Sequence, residues 1–482
     1  MTVLKGYLIG AVYAAVCLLF STLLYKLGIS KKYTRKTVHI LIGFEWIILN
    51  HYIGPSYHLL IICLSFLALL IFTYKKGLMQ MISSDADNAP GTVYFCVSMS
   101  VMSLVSWLRP EFMLPFGIAV FCTSLGDGFA GVVGQAVRRF NPHIWQSKTL
   151  FGTLASFIFS FGVCAVFDNI YALGIPLWGL VSLALTGAVL ELVTGAGLDN
   201  VTLPLGTFLL SYLLIFRSAA LIEYIVPVLL TPLLLGIVIK RRILTPVGTA
   251  FAVILDLAVS LAFGNMGFLM MALFLCGGVL IDKIKRKFVA EGDGLEKKDD
   301  KTRDAYQVLA NGALAFVFSA LYLAFNNEAF LFAFMAAAAE AFSDTAASGF
   351  GSLSRGAFDL FKMRRIEKGM SGGMSLIGTL ASLLGAALTA LIPFAFGVIR
   401  LRGFLLVVIC AFSGALFDSF LGSLVQVKYR CGMCGKLTES PVHCGDKCAK
   451  VSGISFVNND AVNFVSSLFA SALAIIFYVY LL

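Results

Sequence analysis

Gly126-Asp127-Gly128-Phe129-Ala130-Gly131-Val132-Val133-Gly134 and Asp344-Thr345-Ala346-Ala347-Ser348-Gly349-Phe350-Gly351 carry one pattern, D-x2-A-x3-G, each at the end of an apolar run. Downstream of each stands the same pentapeptide, Gly152-Thr153-Leu154-Ala155-Ser156 and Gly378-Thr379-Leu380-Ala381-Ser382. Further on come Gly187-Ala-Val-Leu-Glu191 and Gly414-Ala-Leu-Phe-Asp418, then Asp199-Asn200 and Asn458-Asn459-Asp460. Each series opens on a basic residue ahead of polar helix positions, Arg35…His39 and Arg303…Gln307…Asn311. Four elements in the same order mark an internal repeat. The two copies have the same orientation, so the repeat is parallel, with its boundary near 217–245. The domains expected are 1–222 and 223–482. Within the second, 224–304 would be connecting helices and a basic loop, and 425–460 a cysteine loop.

The composition says what the repeat is built from. Of 482 residues, 59% are hydrophobic and 13% charged, and the mean hydropathy is +0.91. A soluble domain has about 25% charged residues, so a soluble enzyme is excluded, and so are disorder and collagen. Apolar runs at about 20 residues each give roughly sixteen spans. They start with 4–25, 38–50, 58–74, 93–108, 113–125 and 150–167 and end with 461–482; 246–263 and 266–281 lie between. The fold class is all-α, a polytopic membrane helical bundle of two parallel-repeat halves, with the shorter runs expected as broken or re-entrant helices.

Alternate loops divide the charge unequally: one set holds 31 of the 36 Lys and Arg. The positive-inside rule makes that set cytoplasmic and puts both termini outside, in a multi-pass protein expected in the plasma membrane. The net charge of +10 therefore orients helices, and no nucleic-acid partner is expected. The first span lacks a small-residue cleavage site and should stay as a helix.

Carboxylates at membrane depth are functional candidates. Asp127, Glu191, Asp344 and Asp418 each end an apolar span among Gly, Ala, Ser and Thr, with no Lys or Arg next to them in sequence. Hard oxygen ligands beside small residues suit Mg2+, with Asp127, Asp344 and Asp418 as its ligands and substrate phosphates completing the shell. Gly126, Ala130, Gly134, Gly152 and Gly378 would let backbone N–H groups approach phosphate oxygens. Lys148-Thr149 and Lys368, just ahead of each Gly-Thr-Leu-Ala-Ser helix, supply positive charge for a phosphate. Together these residues describe phosphoryl transfer to a lipid, a reaction that needs no protein nucleophile. A CTP-dependent phosphatidate cytidylyltransferase is one alternative, although its Asp, Gly and Arg cluster is not found. A transporter with parallel repeats is the other, although its polar residues would lie near mid-bilayer.

Arg35-Lys36-x2-His39, Gly126-Asp127-x2-Ala130-x3-Gly134, Lys148-Thr149-x2-Gly152-Thr153-x-Ala155 and Glu191…Leu198-Asp199-Asn200…Pro204 together resemble the dolichol kinase and phytol kinase family of CTP-dependent lipid-alcohol kinases. The second half carries Asn311-Gly312, Ser343-Asp344-Thr345-x-Ala347-Ser348, Gly369-x2-Gly372-Gly373-x-Ser375-x2-Gly378-Thr379, Asp418-Ser419-x-Leu421-Gly422…Gln426 and Asn459-x2-Val462-Asn463. These residues resemble the DUF92 family, which includes the plant phytyl-phosphate kinase. The resemblances imply two successive kinases, one making an isoprenyl monophosphate and the next a diphosphate. They imply CTP or another nucleoside triphosphate with Mg2+ as cofactors, and a lipid alcohol and its monophosphate as partners. They also imply binding roles for Arg35, Lys36, His39, Asp199, Asn200, Ser343, Gly372, Gly373, Asn459 and Asn463. The chain departs from the family patterns at Phe151, Ala346, Gly349 and Met370-Ser371.

Seven of the eleven cysteines lie singly in apolar spans, where they act as small hydrophobes. The other four form Cys431-x2-Cys434-x9-Cys444-x3-Cys448, with His443 adjacent. This spacing in a cytoplasmic loop predicts a structural Zn2+ site, with two disulfides as the rival in an oxidising compartment.

Overall fold

A computed structural model describes residues 2–75, 91–137, 140–145, 148–194, 197–216, 223, 225–288, 302–354, 356–359, 363–366 and 370–481. Helices dominate. Eleven of them, among the described residues, are long and apolar enough to cross a membrane, and Tyr57–Thr73 and Leu177–Leu192 are shorter apolar helices. The count falls below sixteen because several apolar runs do not become separate full-length helices. The run at 38–50 is split between two short helices, Lys31–Ile42 and Glu45–Tyr52. The runs 246–263 and 266–281 lie in one helical stretch, Pro246–Phe288, broken at Gly264. Gly264 has φ +55°, a conformation glycine adopts without a Cβ penalty.

The chain divides into two compact units, Met1–Arg241 and Arg242–Leu482. This boundary lies later than the expected 222/223 because the helix Ile225–Lys240 packs on the helix Leu177–Val193 of the first unit. Pro246–Phe288 packs on three helices of the second unit and is part of its core, not a connector.

In the first unit, α1 (Thr2–Lys26), α2 (Lys31–Ile42), α3 (Glu45–Tyr52), α4 (Tyr57–Lys75) and α5 (Gly91–Leu108) lead to α6 (Met113–Phe121). A π-helical turn, Cys122–Asp127, joins α6 to α7 (Gly128–Ala136). The hairpin β1 (His143–Trp145) and β2 (Lys148–Thr149) precedes α8 (Leu150–Tyr171), α9 (Leu177–Val193), α10 (Asp199–Phe216) and α11 (Ile225–Lys240). In the second unit, α12 is Pro246–Phe288, α13 Ala305–Phe325 and α14 Glu328–Gly351. A hairpin, β3 (Ala357–Asp359) and β4 (Arg364–Ile366), precedes α15 (Leu376–Ala395) and α16 (Leu401–Leu424). Short strands β5 (Lys428–Arg430), β6 (Leu437–Thr438), β7 (Val442–His443), β8 (Asp446–Lys447) and β9 (Ala449–Ser452) form the cysteine loop before α17 (Asn459–Leu481).

α14 is the axis of the second unit. Its Ala-rich run, Ala333 and Ala336–Ala339, is buried and lets α15, α16 and α17 approach closely. Its start is fixed by Asn327, whose side chain accepts from Ala329 N at 2.9 Å.

The repeated motifs make the same local structure in both units. Thr149 Oγ1 caps α8 by accepting from Gly152 N (3.3 Å), and Ser375 Oγ caps α15 by accepting from Gly378 N (3.1 Å). A Cβ on Gly152 would lie 3.0 Å from the Ala130 carbonyl, and one on Gly378 would lie 3.0 Å from the Ala347 carbonyl. Gly134 likewise crosses Gly152, and Gly351 crosses Gly378, each at 3.5 Å from glycine Cα to the position of an added Cβ. Each D-x2-A-x3-G helix therefore crosses its Gly-Thr-Leu-Ala-Ser helix backbone to backbone.

Candidate functional site

The first unit gathers charged residues that are far apart in the chain. Asp127 ends the π turn, an irregularity common at functional sites because it redirects a side chain within a helix. Lys36 Nζ donates to both Asp127 carboxylate oxygens, at 2.7 and 2.8 Å, and to the Asp127 carbonyl at 3.2 Å. His39 lies one helical turn beyond Lys36 on the same face of α2. Its Nε2 is 3.3 Å from Asp127 Oδ2 and 3.2 Å from the Thr123 carbonyl. Arg35 points elsewhere and is exposed, because its position on α2 is turned about 100° from Lys36.

A second ion-pair group adjoins the first. Lys148 Nζ, on β2, donates to Glu191 Oε1 at 2.5 Å and to Asp199 Oδ2 at 3.0 Å. Burial alone would lower the Lys148 pKa, but the carboxylates of Asp199, Glu191 and Asp127 outweigh it and hold the ammonium well above its ordinary range. Asn200 braces Asp199 by donating from N and Nδ2 to Oδ1, at 3.1 and 3.2 Å. Glu191 Oε2 is buried and has no hydrogen-bond partner among the described residues. The expectation of carboxylates without basic partners therefore fails here: Lys36 and Lys148 reach them from other elements. With His39 neutral, two lysines face three carboxylates, leaving about one negative charge.

The small residues have a packing role in the fold. Gly126 lies under Ser160 (2.7 Å from an added Cβ), and Gly134 under Thr149 Oγ1 (2.8 Å). The Gly152 and Gly378 N–H groups already serve the helix caps. These glycines and Ala130 set helix crossings, which accounts for their spacing without a phosphate.

The second unit has no such lysines among the described residues; Lys368 and Gly369 lie outside them. Asp344 and Asp418 are accompanied by Glu340, which sequence reasoning missed. Glu340 is one turn before Asp344 on α14 and only 2% exposed. Ser466 Oγ lies 2.9 Å from Glu340 Oε1 and 3.4 Å from Asp418 Oδ2, so it bridges the two, and Ser467 donates to Glu340 Oε2. Gly414 makes room, since a Cβ there would sit 2.6 Å from Glu340 Cγ. The Asn463 amide, turned to suit its neighbours, donates to Asp418 Oδ2 at 3.3 Å and to the Asn459 carbonyl at 3.0 Å. The Asn463 oxygen then accepts from the Asn311 side-chain amide at 3.1 Å. The signal for Glu340 was a lone carboxylate inside an Ala-rich apolar run, four residues before an Asp. Ser343 faces away from this group and ties α14 to α15 through Ser382, at 2.8 Å.

Gly372 and Gly373 form a tight turn ahead of α15. Gly372 has φ +84°, and an added Cβ would lie 2.5 Å from Ser423 N, so only glycine fits. Next to this turn, the Gln426 amide is buried with neither polar atom partnered among the described residues.

In the cysteine loop, the potential metal-binding atoms of Cys431, Cys434, His443 and Cys444 lie within 4.8 Å of one another. His443 joins three of the four expected cysteines in this group, while the Cys448 thiol interacts with Cys431 beside it and lies 3.9 Å from the Asp446 carbonyl. The backbone N–H of Cys434, with His443, draws the Cys431 thiol down to about 6. No disulfide forms; all four cysteines are free thiols.

Residues 229–471 match the family described as "Integral membrane protein DUF92". The chain is 28% identical over 214 residues to a protein named "Phytol kinase" from Synechocystis sp., covering 42% of this chain and 89% of the relative. It is 31% identical over 218 residues to an uncharacterized membrane protein of Methanocaldococcus jannaschii, covering 43% of this chain and 85% of the relative. A chloroplastic phytol kinase homologue of Glycine max is 26% identical over 211 residues, covering 40% of this chain and 70% of the relative. No solved structure matches. The family match spans just over half of the sequence and takes in α12 to α16 and most of α17, so the chain belongs to the integral membrane protein DUF92 family.

Proposed function

We propose that the chain is a membrane lipid kinase with one acceptor site in each unit. The first unit phosphorylates a long isoprenoid alcohol of the phytol or polyprenol type, and the second converts the monophosphate to a diphosphate. The donor is a nucleoside triphosphate, CTP favoured. The likeness to proteins named phytol kinase supports the reaction class. The observation that carries the reading is the buried convergence of Lys36, Asp127, Lys148, Glu191 and Asp199.

Phosphoryl transfer requires cations on the phosphate oxygens and carboxylates on the counterion, with little covalent work for the protein. Lys148 and Lys36 exchange their carboxylate partners for phosphate oxygens. The carboxylates thus released, Asp127 foremost, are hard ligands of the kind Mg2+ selects. Bound Mg2+ would neutralise charge between the terminal phosphates. Glu191 Oε2, buried and unpartnered, accepts the proton of the acceptor hydroxyl. The acceptor oxygen then bonds to the terminal phosphorus, the bond to the bridging oxygen breaks, and the nucleoside diphosphate leaves.

In the second unit a phosphate monoester oxygen attacks, so no base is needed. Glu340, Asp344 and Asp418 form no ion pair among the described residues, and they would hold the metal. Lys368 is proposed as the phosphate contact there. A groove of about 640 Å3 between α13 and α17, near Asn311 and Asn463, offers a lipid chain the apolar surfaces of Tyr306, Leu309, Ala310, Ala313, Ala461 and Phe464, beside the polar Asp304, Asn458 and Asp460 that also line it. The loop charge bias supports sites open to the cytosol.

The test uses the purified full chain in detergent with phytol, farnesol or a longer polyprenol and CTP labelled at the α or γ phosphorus. Label should reach lipid from the γ position only. Label from the α position would mean cytidylyl transfer, and label from neither would end the kinase reading.

A further inference from the structure

The cysteine loop carries a cluster of potential metal ligands of its own, joined by hydrogen bonds to the turn ahead of α15. Cys431, Cys434 and Cys444 offer thiolates and His443 an imidazole, and their potential ligand atoms lie within 4.8 Å of one another. His443 Nδ1 is 3.4 Å from Cys434 Sγ and 3.2 Å from Cys444 Sγ. Zn–S near 2.3 Å and Zn–N near 2.0–2.1 Å in a tetrahedron place ligand N and S about 3.6 Å apart. The observed separations fall within a few tenths of an ångström of that edge.

The backbone around the cluster is shaped to match. Cys431 N donates to the Lys436 carbonyl (3.0 Å) and Gly435 N to the Cys431 carbonyl (2.9 Å), closing a knuckle over Cys431-x2-Cys434. Gly435 and Gly445, each directly after a ligand cysteine, have φ +73° and +83°. Neither has a neighbour within 4 Å of an added Cβ, so the turn itself explains the choice of glycine.

The same loop holds the Gly372 turn. Glu439, next to β6, accepts from both Ser371 N (2.9 Å) and Ser371 Oγ (2.5 Å). Lys428 Nζ, on β5, donates to the Ser371 carbonyl at 2.8 Å. Strands β6, β5 and β9 form one sheet, so anything that fixes the cluster also fixes Glu439 and Lys428.

We propose that Cys431, Cys434, His443 and Cys444 bind one structural Zn2+, and that this metal clamps the Ser371–Gly373 turn through Glu439 and Lys428. Three thiolates and an imidazole form a closed set that selects zinc over the hard cations suited to the carboxylate sites. The metal assignment stands apart from the kinase reading; only the value of a fixed turn to the second site rests on it.

The full chain, purified in detergent without added metal, should contain one zinc per chain by elemental analysis. Replacement by Co2+ should give thiolate-to-cobalt charge-transfer absorption. Cys434→Ser with Cys444→Ser, and separately His443→Ala, should each lose the metal, while Cys448→Ser should keep it. Glu439→Gln should keep the zinc yet speed hydrogen exchange at residues 370–375 at least tenfold, as zinc removal by chelation should. Three results would overturn the proposal: no bound metal, metal retained in the double cysteine variant, or Cys448→Ser losing metal that His443→Ala keeps. Unchanged exchange in both Glu439→Gln and the chelated protein would overturn the clamp. None of these readouts depends on phosphoryl transfer, so failure here and failure of the kinase reading are distinguishable.

Discussion

Replacing Lys148 by Met probes the first unit most sharply. Its ammonium is the shared partner of Glu191 and Asp199, at 2.5 and 3.0 Å, and its side chain is 20% exposed. Removing one member of a buried pair costs about 3–5 kcal/mol because the remaining charges are left uncompensated; partial access to water puts Lys148 at the lower end, about 3 kcal/mol. For a unit of this size, about 2–4 °C per kcal/mol gives a fall in Tm of about 6–12 °C. The lysine's pKa is raised in the folded protein, so its stabilisation is complete below the unfolded value near 10.4 and is lost only as pH rises through the folded value. The lysine's own share of the Lys148→Met penalty should therefore be flat between about pH 6 and 9. Adding Glu191→Gln and Asp199→Asn should restore Tm to within about 1 kcal/mol of wild type, because a neutral cluster has no charge to strand. The triple variant should still lack activity, with kcat/KM down at least about 100-fold, since Lys36 alone then meets the phosphate and the Glu191 base is gone. Thermal scanning and label transfer on the same preparations read both effects. A Lys148→Met Tm within about 2 °C of wild type would refute the buried-pair argument. Full activity in the triple variant would refute the phosphate role.

Five further variants test other parts of the account. Arg35→Ala should leave activity within about twofold of wild type, whereas Lys36→Ala should cost about 100-fold, by the same assay. Gly378→Ala forces a Cβ to 3.0 Å from the Ala347 carbonyl and should destabilise the second unit by about 1–3 kcal/mol, seen in denaturant or thermal unfolding, and Gly152→Ala should do the same in the first. Glu340→Gln removes one of three adjacent carboxylates and should abolish the Mg2+-dependent rise in Tm expected of wild type, without lowering Tm in the absence of metal.

Much of the fold was legible because apolar length and loop charge are one-dimensional signals. Helices occur over nearly every expected span, and Asp127, Glu191 and Asp199 do meet. What sequence could not supply was partnership. Lys36 lies 91 residues from Asp127, and Lys148 lies 43 from Glu191, so the carboxylates read as unpaired until the chain was folded. The glycines carry two readings for a related reason: close helix crossing and close approach to a phosphate call for the same missing Cβ. Glu340 stands inside an apolar run, away from the span ends where the repeated carboxylates lie. His443 stands next to the cysteines in sequence, and the turn at Cys444, with φ +53°, helps bring its ring to the thiols.

Two phosphorylations in one chain are best tested by comparing wild type with Asp344→Asn/Asp418→Asn, each given phytol and γ-labelled CTP, with lipid products separated by chromatography. Wild type should make phytyl diphosphate, and the double variant should stop at the monophosphate, formed at an undiminished rate. Loss of monophosphate synthesis in the double variant, or diphosphate formation by it, would contradict separate sites in the two units.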